Sequence, residues 1–118
     1  MRYKVAREAD YVTAEMSGEA TEPEIRAMTA ELIRASGSGA RGALVEVRVS
    51  RGLDLITTKR LVSEFPSLGF PAGFRVAVLL LDDTSRSAAY FAEDVAVNRG
   101  IPLKIFTEHA AALAWLGA

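Results

Sequence analysis

The chain has 118 residues, enough for one domain around one core. Half of the residues are hydrophobic, a quarter are charged and the formal net charge is −1, which gives no electrostatic basis for binding nucleic acid or an anionic membrane. Cysteine is absent, which excludes disulfides and thiolate metal sites and suits a reducing cytoplasm.

The opening residues MRYKVAREADYV already alternate in the manner of a strand, so no signal peptide is expected. Tyr3 to Ala9 and Tyr11 to Glu19 predict two strands around a break at Asp10, paired antiparallel. A helix should begin at Thr21. Thr21 and Glu24 have capping-box spacing, and Pro23 is tolerated in a first turn that needs no amide donor. Ile25, Met28, Leu32 and Ile33 form its apolar face, and Gly37 and Gly39 should end it.

Ala43 to Val49 predicts a third strand. Ala43, Val45, Val47 and Val49 share one face, and Glu46 and Arg48 the other. A strand covered by helices on both sides is apolar throughout, so this one should be covered on one side only. After the loop SRGLD, Asp54 should cap a second helix over Leu55 to Phe65, with Leu55, Val62 and Phe65 facing inward. The proline and glycine of PSLGFPAG mark a loop.

Arg75 to Leu81 is the most apolar strand and should be central. Its apolar run, Val76 to Leu81, is too short to span a bilayer, so no membrane span is expected. Asp82 to Ser85 should cap a third helix with Ala88, Phe91, Ala92 and Val95 on its core face, stopped by Asn98 and Gly100. Pro102 to Phe106 predicts a short last strand. Thr107 should cap a final helix that buries Leu113, Leu116 and part of Trp115. Strand and helix alternating through short links implies parallel pairing by right-handed crossovers. The polar strand face predicts all four helices on one side of a mixed, mostly parallel α/β sheet.

The segments VTAEMSGEATEPEI, ALVEVRV and FAEDVAVNRGIPLKIFTEHAAALAWL are similar to the SpoIIAA-like superfamily, which includes the STAS (sulfate transporter and anti-sigma-factor antagonist) domains. The resemblance covers nearly the whole chain, and its closing pattern looks like a bacterial STAS-like branch. It implies a right-handed strand–helix superhelix with helices mainly on one sheet face. Anti-sigma-factor antagonists of that family bind a kinase and are switched by phosphorylation in a D-S-x-G-like motif between the third strand and second helix. Here that region reads VRVSRGLDLITTK and lacks the motif, so Ser50, Thr57 and Thr58 are expected to stay unmodified.

Two loops are candidate sites. Ser50, Arg51 and Gly52, followed by Asp54, Thr57 and Thr58, sit at the carboxyl end of a parallel strand, where open α/β sheets bind ligands and a helix start attracts anions. A plain turn explains the same residues, because a lone S-R-G has little motif specificity. Asp82, Asp83, Ser85 and Arg86 form the second loop. Adjacent carboxylates suit Mg²⁺, but neighbours on a strand point to opposite faces, and helix capping accounts for them. His109, the single histidine, should be a solvated side chain at a helix start. No catalytic or phosphate-binding motif is present, so neither an enzymatic activity nor a cofactor is expected.

The expected function is therefore a non-catalytic, cytoplasmic regulatory or scaffold module. It would bind a protein partner or a second copy through aliphatic side chains on an open sheet face, unless Tyr3, the first strand or the PSLGFPAG loop covers them. The alternative is a small-molecule or lipid-binding domain with an apolar pocket between the second and third helices, near Phe65, Phe70, Phe74 and Tyr90. A deep apolar cavity would favour the ligand, and a flat apolar patch the protein partner.

Overall fold

The computed structural model describes residues 1–37, 39–84 and 86–117. Among them are five strands: β1 (Arg2–Arg7), β2 (Val12–Glu19), β3 (Gly42–Arg51), β4 (Arg75–Leu80) and β5 (Leu103–Phe106). Four α-helices accompany them: α1 (Glu22–Ser36), α2 (Leu55–Glu64), α3 (Arg86–Asn98) and α4 (His109–Leu116). The strands form one sheet in chain order, with β1 antiparallel to β2 and the remaining pairs parallel. The antiparallel start and the parallel set β3–β4–β5 agree with the sequence. The centre does not: β3 occupies it, and β4 lies between β3 and β5.

Capping chemistry sets the helix ends. Asp54 accepts a hydrogen bond from the Thr57 amide at 2.8 Å and fixes the start of α2, as expected. The Thr21 hydroxyl takes a different partner from the one its spacing predicts. It donates to the Glu24 carboxylate at 2.7 Å, and that carboxylate also holds the N-terminal ammonium at 3.2 Å. An ammonium competing for Glu24 draws it away from the backbone amides a capping box would satisfy. At its other end α1 is closed by Arg7, which donates to the carbonyls of Ala35 and Ser36. The start of α4 is capped at Glu108 rather than Thr107, without a side-chain hydrogen bond.

The register sorts side chains between the two sheet faces. Val12, Ala14, Val45, Val47, Val76 and Leu80 lie on the face that also packs against Met28 and Leu32 of α1. Leu44, Ala77 and Leu79 lie on the opposite face and pack with Ala112 and Leu116 of α4. The expectation of all four helices on one face is therefore corrected: α1, α2 and α3 share one face, and α4 covers part of the other. The reason lies in β4. Its two sides are both apolar, so both need cover. Ala77 is wholly buried and Leu79 is 3 % exposed under α4, which removes the open aliphatic sheet face that the sequence suggested as a partner surface. Glu46 and Arg48 lie further along β3 on that face; Glu46 is half-buried beside Leu79 and Arg48 is exposed.

Two close approaches seat α4. Arg75 donates to the Trp115 carbonyl at 2.6 Å and places its guanidinium 5.4 Å from the Trp115 ring centroid. Gly42 passes directly beneath the helix: a methyl there would run into the Arg75 carbonyl and approach Leu116 to 2.8 Å. Within α4, Ala112 and Leu116 are buried, whereas Leu113 and Trp115 are half-buried.

Candidate functional site

The three helices on the first face do not close over it evenly. α1 lies along β1 and β2, while α2 packs along α3 rather than along α1. Val62 of α2 joins Val95, Ala96 and Ile101 in a cluster of its own. Between α1 and α2 the sheet is left with an apolar cleft of two adjoining chambers.

The first chamber has a volume of about 320 Å³. Val45, Val76 and Val78 make its floor, Ile25, Met28 and Thr29 one wall, and Leu61 and Phe65 the other. Phe70 closes an end, held there by stacking between Phe65 at 4.5 Å and Phe74 at 4.9 Å between ring centroids. The second chamber, about 210 Å³, shares Ile25, Val45, Leu61, Val62 and Val78 with the first and runs toward the strand ends. Ala88, Ala89 and Ala92 of α3 line it. Side chains that small cannot reach across to fill the space.

The rim is ionic. Glu22 of α1 accepts from Arg26 Nε at 3.0 Å and from both terminal nitrogens of Arg60 of α2, at 2.8 and 2.7 Å. Arg26 Nη1 lies 2.9 Å from a Glu64 oxygen. The Arg60 hydrogen bonds, with those of Arg26, hold the Glu22 carboxyl down to about 2. Arg26 and Glu64 both border the first chamber.

The residues singled out from the sequence divide. Phe65 and Phe70 line the cleft. Phe74 is buried behind Phe70 and faces a separate, more polar hollow of about 330 Å³ beside Pro66, Pro71 and Pro102. Tyr90 is 39 % exposed and lines none of these spaces. The cleft lies between α1 and α2, and only its second chamber reaches α3.

In the first loop, Ser50 and Arg51 are the exposed end of β3, which runs past the predicted limit at Val49. Gly52 and Thr58 line the second chamber. The start of α2 already holds an anion: the Asp54 carboxyl is kept below its ordinary value by the Thr57 amide and then by the Thr57 hydroxyl, which donates at 3.0 Å. The Thr58 hydroxyl donates to the Asp54 backbone carbonyl at 2.8 Å. Asp54, Thr57 and Thr58 thus form the cap of α2.

In the second loop, Asp82 accepts from the Thr84 amide at 3.1 Å and Asp83 lies 3.5 Å from Arg86, both local turn contacts. Ser85 lies outside the described residues. Among the described residues there is no group of three or more His, Cys, Asp or Glu side chains placed to hold a metal ion. Nor is any helix among them long and apolar enough to cross a membrane. His109 Nε2 stands 4.0 Å from Glu46, an ion pair only when the imidazole is protonated.

Reading the sequence element by element misses Ile25, Leu61 and Val78 as site residues: Ile25 and Val78 read only as parts of an apolar helix face and an apolar strand, and Leu61 falls outside the inward face assigned to the second helix. One signal was available: Glu22 with Arg26 and Arg60 with Glu64 are two charge pairs at helical spacing, of opposite order, on neighbouring helices. No protein family matches this chain, and a search of curated proteins finds no match.

Proposed function

We propose that this chain is a non-catalytic α/β module, of the SpoIIAA-like or STAS-like kind that its sequence resembles, and that it takes up a small apolar molecule between α1 and α2. The observation that carries the reading is the cleft. Ligand sites are typically concave, mostly apolar and of several hundred Å³, with few polar groups at the margin, and the first chamber has about 320 Å³ with Arg26 and Glu64 at its rim. The absence of cysteine suits action in the cytoplasm. The sheet order in chain sequence is what a strand–helix superhelix requires.

A titration with the neutral apolar fluorophore N-phenyl-1-naphthylamine tests this. The wild type should give a saturable rise in emission. Val78→Phe, which puts a ring into both chambers from their common floor, should abolish that rise while leaving the far-ultraviolet dichroism unchanged. No saturable binding by the wild type, or undiminished binding by a folded Val78→Phe, contradicts the reading.

A second reading, a regulatory or scaffold module that binds a protein partner, rests on the start of α2. Leu55 is 50 % exposed there and Ile56 82 % exposed, two adjacent aliphatic side chains in water. Ile56→Lys should release a partner in that case and leave fluorophore binding untouched.

A further inference from the structure

The cleft runs along the seam between two packed units. α1 rests on the sheet with Met28 and Leu32 in the main core. α2 rests on α3 through Val62, Val95 and Ala96. Apolar packing holds each unit together, whereas the seam is an apolar hollow. The two units are joined by ions: Arg26 of α1 to Glu64 of α2 at the first chamber's rim, and beside it Arg60 of α2 to Glu22 of α1, which also holds Arg26.

We infer that Glu22, Arg26, Arg60 and Glu64 form a latch that holds α1 to α2 and controls entry to the cleft; this rests on the reading of the cleft as a ligand site. The strength of the tie fits the role. The four side chains are between 29 % and 48 % exposed, and ion pairs at that exposure contribute little to stability and are weakened by salt. The bidentate Arg60–Glu22 contact makes the tie directional, so it closes in one register. It is too weak to hold the fold together and well placed to hold a seam shut. Releasing it lets the rim of α2 part from α1, while Phe65 and Leu103, which pack against both apolar clusters, stay in place as the pivot.

The cysteine-free sequence allows a direct test. Val45→Cys puts a single thiol on the floor shared by both chambers. Val12→Cys puts one in the fully buried core under α1, away from the cleft, where it reports general unfolding. The rate of reaction with 4,4′-dithiodipyridine is measured in each background with and without the pair Glu22→Gln and Glu64→Gln. The latch predicts roughly three- to tenfold faster labelling at Val45→Cys when the carboxylates are removed, the scale of one or two half-exposed ion pairs, with no change at Val12→Cys. Molar salt should speed labelling of the latched protein and leave the unlatched one unaffected. Equal rates at Val45→Cys, or equal acceleration at both thiols, overturn the latch. Saturating N-phenyl-1-naphthylamine separates the two claims. Protection of Val45→Cys without acceleration keeps the site and discards the latch. Acceleration without protection removes the ligand reading and, with it, the latch as a gate.

Discussion

Glu22 is the hub of the ion pairs between α1 and α2, accepting from both Arg26 and Arg60. Its carboxyl is held down to about 2, first by Arg60 and then by Arg26, from an ordinary value of 4.5. A carboxyl lowered in the folded state contributes stability that is complete above the unfolded value and is lost as protons bind. That contribution should therefore be intact above about pH 4.5 and disappear as the pH falls from there through about 2. Glu22→Gln should flatten the acid limb of a plot of thermal midpoint against pH, and parallel limbs for the two proteins would show that Glu22 carries no such linkage. Single residues were unevenly legible in the sequence. Asp54 was readable as a cap because its partners lie within the next turn. Gly42 was not, because the need for a glycine comes from Leu116 and Arg75, both brought there by the tertiary fold. Thr21 and Glu24 had the right spacing, but the N-terminal ammonium takes Glu24, and spacing does not show that competitor.

At the scale of elements, the strands and helices follow from periodicity and punctuation, and the main discrepancy is the side of the sheet on which α4 lies. HAAALAWL is apolar around its whole circumference, so its own pattern gives no direction of burial. The direction was encoded in β4, where Val76, Val78 and Leu80 alternate with Ala77 and Leu79, so both faces require cover. The polar pair Glu46 and Arg48 pointed to an open face; Arg48 is exposed, but Glu46 is half-buried next to His109 of α4. Leu44, earlier on the same strand and face, is 1 % exposed under α4. Docking of α4 predicts different costs for its two leucines. Leu116→Ala, at a buried position, should destabilise by about 2–5 kcal/mol. Leu113→Ala, half-buried, should cost clearly less. A denaturant series in which the two midpoints fall equally would mean that α4 is seated by its other face.

For the whole molecule, the sequence conveyed the layers but not the gap between them. Apolar periodicity shows which side of a helix turns inward; whether two inward sides meet depends on how far apart the helices stand. Here α2 sides with α3, whose Ala88, Ala89 and Ala92 are too small to fill the space beneath, and α1 stays with β1 and β2. The hollow is thus a property of two packed units and of no single segment. A guest seated there should be felt by Ile25, Leu61, Val45 and Val78 together, and not by Leu44, Leu79 or Leu116 across the sheet. Methyl-resolved nuclear magnetic resonance of an Ile-, Leu- and Val-labelled sample, titrated with N-phenyl-1-naphthylamine, measures both sets at once. Saturable shifts confined to the first four residues and their chamber neighbours are the predicted result; shifts centred on the α4 face, or none at all, would contradict the assignment of the cleft as the binding site.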